Sequence, residues 1–353
     1  MTSNPRLEAL RDRFDPAGVD GILISAPENR RYLSGFTGSS GFLLVTGDQA
    51  VLATDFRYVE QAGQQSQDFR VQKVAGRISE LGEVIARMNV GRLGFESDHM
   101  SVADHQALGE SLQSAGPTLV ATTGIVDELR AVKEPAELAL IEKAVEIADT
   151  ALGRIAPAVE PGTTEKYIAW EIEKAMRELG AEAIAFDIIV GAGPNGALPH
   201  HKADDTVIQP GDAVVIDMGA TYEGYRSDLT RTFAVGEPDD DFHKVYDTVL
   251  GAQTAAEEAV RPGMEGQELD AVARDFIAEA GYGEYFGHSL GHGVGLAVHE
   301  RPRVTSASQD VLEEGMVFTI EPGIYLPGWG GVRIEDIVTI ENGRARVLTR
   351  SSK

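Results

Sequence analysis

The chain has 353 residues, 31 basic against 56 acidic, a formal charge of −25 and no cysteine. The length predicts two domains, the missing cysteine excludes disulfides, thiolate nucleophiles and zinc–thiolate sites, and the acidity without a basic cluster excludes a nucleic-acid footprint. No run approaches the roughly 18 apolar residues of a membrane span, and the charged N-terminus has no signal-peptide core, so no membrane association and a cytoplasmic location are the defaults.

Residues 1–125 read as an α/β unit. LEALRDRF suggests a short helix and VDGILIS a strand. RYLSGFTGSSGFLLVTGDQAVLATDFRY holds two hydrophobic runs around Gly-Asp, a hairpin signal. Asp68–Val74 and Val90–Glu96 are further strand candidates, and Arg77–Met88 and Ser101–Ser111 helical ones. GFTGSSG lacks the lysine of a phosphate loop and the spacing of a dinucleotide fingerprint. It is either a turn or a loop near a ligand.

The second domain, 126–353, begins near Val126. Pro135 suits a first helical turn, and Ala139, Ile141, Ala144, Ile147 and Ala148 approximate an apolar stripe. A second helix should run from about Thr164 to Leu179 and end at Gly180. Val159, Pro161, Gly162 and Gly180 recur as Val260, Pro262, Gly263 and Gly281, each displaced by 101. The shared helical pattern favours an internal duplication, with a cleft at the seam of the two halves.

Two hairpins in this domain carry acids. In AVVIDMGATYEGYRSDLTRTFAVG, a turn centred on Tyr222–Glu223 would set Asp217 opposite Asp228, on one face. In MVFTIEPGIYLPGWGGVRIEDIVTI, Glu321 and Glu335 are symmetric about Gly328. Like charges facing each other across strands are destabilising unless cations bridge them. Four carboxylates suit two divalent ions better than one.

Five of the eight histidines, at 200, 201, 288, 292 and 299, lie close to these elements or after the second repeat's helix. His292, within GHSLGHGVGLAVHE, is the expected fifth ligand. His288 is either a group supporting the ligands or a hydrogen-bonded core imidazole. His200 and His299 suit neutral roles around substrate. Oxygen donors with one nitrogen and no sulfur favour Mn²⁺ first, with Co²⁺ or Zn²⁺ as alternatives.

At VVIDMGA, YRSDLTRTF, GHGVGLAVHE, TIEPGIY and VRIED the chain resembles the pita-bread creatinase/methionine-aminopeptidase superfamily, and within it the Xaa-Pro peptidases (prolidase and aminopeptidase P). The likeness spans essentially the whole chain. It implies an α/β creatinase-like N-terminal domain before an α+β, pseudo-two-fold duplicated catalytic domain. It also implies the ligand set Asp217, Asp228, His292, Glu321 and Glu335, with Asp228 and Glu335 bridging two ions. By the same likeness His200 lies near the scissile bond and His299 near the peptide carbonyl. Glu321 would carry protons, with Arg333, Tyr325 and His288 in support, although Arg333 could simply neutralise neighbouring acids. The expected reaction is Xaa-Pro bond hydrolysis as a dipeptidase on proline-containing dipeptides, with an aminopeptidase acting on longer peptides as the alternative. A metal-free binding protein and a creatinase-like amidinohydrolase are rival outcomes. Relatives of this kind imply a homodimer, with RYLSGFTGSSGF projecting toward a partner's site.

Overall fold

The computed structural model describes residues 4–112 and 116–353. The chain forms two compact units, one running to Arg130 and the other starting at Ala131.

In the first unit six strands make one mixed sheet: β1 (Gly21–Ile24), β2 (Phe42–Thr46), β3 (Ala50–Thr54), β4 (Arg70–Lys73), β5 (Arg92–Glu96) and β6 (Thr118–Thr122). Their order is β4-β3-β2-β1-β5-β6. The Gly-Asp hairpin signal holds: β2 and β3 are antiparallel, with Val45 opposite Ala50. The start of that segment does not extend it. Tyr32, Leu33 and Ser34 end a helix, Pro27–Ser34, opened by proline and closed by Gly35 at φ 71°. The following GFTGSSG is a loop held from within, since buried Arg30 donates to the carbonyls of Gly38 (2.9 Å) and Gly41 (2.8 Å).

The expected helix at Arg77–Met88 is instead a 3₁₀ turn, Ile78–Glu80, followed by a five-residue helix, Gly82–Ala86. A Cβ at position 82 would lie 2.3 Å from the Ser111 carbonyl oxygen. Gly82 thus permits a close backbone approach, at a cost in helix propensity. Strand β6 and the helix Ile125–Ala131 were not foreseen from the sequence.

The second unit shows the duplication directly. Helix Pro135–Ile155 starts on Pro135, and helix Glu165–Glu178 is capped by Thr164, whose hydroxyl accepts from the Tyr167 amide at 3.2 Å. The matching pair is Asp240–Ala259 and Gly266–Glu279; the second helices of both pairs have 14 residues and are displaced by 101. Left-handed glycines flank them at equivalent points: Gly162 (φ 98°) and Gly263 (84°), then Gly180 (103°) and Gly281 (88°). A side chain at those angles would be strained.

The first half supplies β7 (Ala183–Ile184), β8 (Ile189–Ala192), β9 (Ala213–Met218), β10 (Ala220–Tyr222), β11 (Tyr225–Arg226) and β12 (Leu229–Ala234). The second supplies β13 (Gly291–Gly293), β14 (Glu300–Val304), β15 (Val317–Ile320), β16 (Gly323–Leu326), β17 (Gly330–Arg333), β18 (Asp336–Glu341) and β19 (Arg344–Val347). The sheet order β12-β9-β8 repeats as β18-β15-β13 inside a larger sheet. Each half buries its own core. Ile168, Ile172, Val190, Val214 and Ile216 belong to one, and Leu269, Ile277, Phe318, Val338 and Ile340 to the other. This is the expected pseudo-two-fold α+β architecture.

Candidate metal centre

The first acidic hairpin departs from the expected register. Strand β9 pairs with β12 so that Asp217 faces Thr230, and the line continues through Tyr222 opposite Tyr225. The turn is therefore Glu223–Gly224, both with positive φ (42° and 72°), the geometry of a two-residue type I′ turn. The turn moves by one residue and the pairing by two. Because side chains alternate with period two, Asp228 keeps the face of Thr230 and Asp217. It lies in the break between β11 and β12, level with Gly219, where a Cβ would meet the Ser227 carbonyl oxygen at 2.1 Å.

The second hairpin matches expectation. Gly323 faces Arg333 and Ile320 faces Asp336, so Glu321 and Glu335 fall opposite each other where the ladder is interrupted. The two hairpins meet edge to edge: the Glu335 amide donates to the Thr230 carbonyl at 3.1 Å. His292 reaches the same place from β13. Its flanking glycines are dictated by crowding, since a Cβ on either Gly291 or Gly293 would sit 2.0 Å from a carbonyl oxygen of a neighbouring strand.

All five side chains line one cavity of about 860 Å³, together with His200, His288, His299 and Arg333. Ligating atoms of Asp228, His292 and Glu335 lie within 4.8 Å of one another. His292 Nε2 is 3.3 Å from Glu321 Oε1 and 3.6 Å from Asp228 Oδ2. Arg333 donates to Asp217 Oδ2 at 2.6 Å, to Thr230 Oγ1 at 3.1 Å and to Tyr325 at 2.8 Å. The Tyr325 hydroxyl lies 2.8 Å from His288 Nε2, and His288 Nδ1 lies 2.8 Å from the Ser289 carbonyl. One consistent donor chain therefore runs from Arg333 through Tyr325 and His288 to backbone, with both His288 nitrogens partnered.

Three residues of this site were missed by sequence reasoning. Thr230 donates to Glu335 Oε2 at 2.7 Å, and Thr319 bridges the His292 amide (3.1 Å) and Glu321 Oε1 (3.2 Å). Buried Arg231 donates to the Glu335 carbonyl at 2.6 Å and to Asp336 at 2.7 Å. The threonines had a legible signal, since each lies two residues along a strand from an acid and so shares its face. His299 packs against His292 with ring centroids 4.3 Å apart, and its neighbour Glu300 forms a buried 2.8 Å ion pair with Lys133.

The electrostatics of the cluster follow from burial and from like charge. Burial pushes the Asp228 carboxyl well above its ordinary range, and the charges of Glu335 and Asp217 add to this. Glu335 is raised well above by burial and by Glu321 and Asp217. Asp217 is raised by burial, opposed in part by Arg333. Burial also acts on Glu321, but the hydrogen bond and charge of His292 outweigh it and hold that carboxyl low. His292 is correspondingly raised: burial works against its charge, and Glu321 prevails. Burial lowers His288, disfavouring its charged form, and pushes Tyr325 up to about 12.

Asp217 Oδ1 is buried and has no hydrogen-bond partner. Three carboxylates strained toward neutrality, one of them with an orphaned oxygen, beside a fourth held low by an imidazole, are the complement of hard divalent cations. The residues present fit such ions.

The sequence pattern of metallopeptidase family M24 matches residues 139–342, and that of the creatinase/prolidase N-terminal domain matches residues 6–132. The chain is 42% identical to an Xaa-Pro dipeptidase of Pyrococcus furiosus, over 99% of this chain and 98% of the relative. Among solved structures it superposes on an Xaa-Pro dipeptidase from Bacillus anthracis with a TM-score of 0.96 and 43% identity, covering 99% and 98% of the two chains. An X-Pro aminopeptidase from Thermotoga maritima gives 0.88 and 40%, covering 98% and 99%. Hairpin geometry, donor chemistry and full-length similarity agree: the chain belongs to metallopeptidase family M24 and carries that family's creatinase/prolidase N-terminal domain.

Proposed function

We propose that this chain is a dinuclear metallopeptidase that hydrolyses the bond before proline, acting as an Xaa-Pro dipeptidase. The observation that carries the reading is two facing acidic hairpins and one imidazole, in a chain similar along its whole length to Xaa-Pro dipeptidases. Asp228 and Glu335 would bridge two ions, with Asp217 completing one site and His292 and Glu321 the other. Bound there, the ions supply Lewis acidity to the scissile carbonyl and lower the pKa of an attacking water. Manganese suits a carboxylate-rich donor set without sulfur, with Co²⁺ and Zn²⁺ next.

The protein's own groups do the rest. Glu321 takes the proton of the attacking water and delivers it to the departing nitrogen. Delivery matters because a proline nitrogen carries no hydrogen before cleavage. His299 donates toward the oxygen on which charge develops, and His200 faces the leaving side. Arg333, tied to Asp217, Thr230 and Tyr325, keeps Asp217 oriented while leaving its Oδ1 free for an ion. We also propose a cytoplasmic location, checked by cell fractionation, and a homodimer, checked by light scattering, both supported by the family likeness.

The similarity to the Thermotoga X-Pro aminopeptidase favours a second reading, removal of an N-terminal residue from longer peptides. A substrate-length series separates the two. With the metal-loaded enzyme, an Xaa-Pro dipeptide should be cleaved faster than the same peptide extended at its C-terminus. Preference for the extended peptide reverses the assignment, and no cleavage of either removes the peptidase reading.

A further inference from the structure

Outside the acidic hairpins, Glu165, His201 and Asp204 form a second cluster of potential ligand groups. Glu165 opens the helix Glu165–Glu178, and its side chain is fully buried. Four donors converge on its carboxylate. Oε1 accepts from the Ala192 amide at 2.8 Å and Asn195 Nδ2 at 3.0 Å. Oε2 faces His201 Nε2 at 2.7 Å and accepts from the Asp204 amide at 3.3 Å. A carboxylate with about four lone-pair sites is then saturated, which leaves no oxygen open to a cation.

The donors come from both ends of one segment, 192–204, and that segment carries His200 on the cavity wall. His201, next in the chain, turns back to Glu165. Backbone bonds reinforce the tie, with the amides of Glu165 and Lys166 donating to the carbonyls of Thr206 (3.1 Å) and Asp204 (3.0 Å). The duplicated half offers an internal control. The residue displaced by 101 from Glu165 is Gly266, where a Cβ would lie 2.2 Å from the Arg303 carbonyl oxygen. The helix Gly266–Glu279 is opened instead by a capping box of Glu265 and Glu268, so the buried carboxylate at this position has no counterpart there. Burying a carboxylate is costly unless it is well paired, and at this aligned position one occurs in the half that bears His200, the other half burying Asp270 four residues further along its helix.

We propose that Glu165 and His201 are positioning residues, a buried latch that fixes the 192–204 segment so that His200 faces the metal centre. The inference rests on the role given to His200 in the proposed function. Loss of the latch lets the imidazole drift, and displacement of a reacting group by about 1 Å can cost 100-fold in rate.

The test uses Glu165→Gln and His200→Ala, singly and together, in the full-length metal-loaded enzyme acting on an Xaa-Pro dipeptide. Glu165→Gln should lower kcat by about 10- to 100-fold, change KM by less than about threefold, and leave metal content equal to that of the parent. Added to His200→Ala, it should slow the enzyme no further, because residues acting as one unit are non-additive. An equal fold-loss in both backgrounds, unchanged kcat in Glu165→Gln, or loss of bound metal each overturns the latch. If His200→Ala itself leaves kcat intact, the role assigned to His200 falls and the latch with it. A slow His200→Ala beside a normal Glu165→Gln removes the latch alone. Should Glu165→Gln fail to fold, His201→Gln leaves the other three donors in place and carries the same test.

Discussion

The two acidic hairpins do the same job with different registers. In the second, the three-residue turn Pro327–Trp329 centres on Gly328 (φ 82°), and Glu321 faces Glu335. In the first, the tight turn Glu223–Gly224 sets Thr230, not Asp228, opposite Asp217. The position filled by Glu335 in one half is thus filled by Thr230 in the other. That threonine, on the same face as Asp217, donates across to Glu335 of the other hairpin at 2.7 Å. Duplication supplied the scaffold twice, and the site uses it asymmetrically. One facing pair is acid–acid, while the other is acid–hydroxyl with its second acid two residues away.

The largest effect should come from removing an acid of either hairpin. Asp228→Asn and Glu335→Gln should each lower kcat/KM by more than about 100-fold, beyond the usual cost of losing an outer partner of a metal ligand, with metal content reduced. Near-parental turnover with both ions retained would contradict the equivalence of the two hairpins.

Metal removal tests what both hairpins share. Asp217, Asp228 and Glu335 are raised in the metal-free protein. The folded chain keeps protons there that the unfolded chain releases above the ordinary carboxylate range. Metal-free stability therefore falls as pH rises from that range through the raised values. Ions bind the deprotonated acids, so their stabilisation grows with pH. At a free metal concentration 100-fold above Kd, one site contributes about 2.7 kcal/mol. The melting-temperature gap between metal-loaded and chelated protein should be wider at pH 8 than at pH 5.5; an equal or narrower gap breaks the argument.

Thr230→Val probes the asymmetry itself. It removes the hydroxyl shared by Glu335 and Arg333 and should weaken metal binding by about 10- to 100-fold, as read by metal titration. Unchanged affinity would make Thr230 a packing residue only. The smallest effect lies at the turns. Gly224 and Gly328 both have positive φ (72° and 82°), so Gly224→Ala and Gly328→Ala should each cost about 1 kcal/mol of stability. In thermal melts both should lower the midpoint while kcat stays within about twofold of the parent; a much larger rate loss at Gly224 would show that its turn also sets the acid geometry.

Much of this was legible before any coordinates. The repeated glycines marked two helices that must stop with a left-handed residue, and they are displaced by 101 in the structure as in the sequence. Glu321 and Glu335 are equidistant from Gly328, inside PGWGG, so that register could be counted. YEGY was harder, since two turn placements fit the hydrophobic pattern. The glycine at the second turn position was the available clue, and it was not used. The pairing slipped by an even number, so the face assignment of Asp217 and Asp228 survived. In the first unit, Gly82 broke a helix through close approach to Ser111, a contact that local periodicity does not record.

By itself the sequence determined the identity of the acids, the imidazole that joins them and the faces they share, because strand alternation and turn chemistry are local. Only the tertiary structure decided that Thr230 stands opposite Asp217, that Arg333, Tyr325 and His288 form one donor chain, and that Glu165 ties down the segment bearing His200. These contacts join residues far apart in the chain. Their geometry follows from how the packed halves meet, which no local pattern encodes.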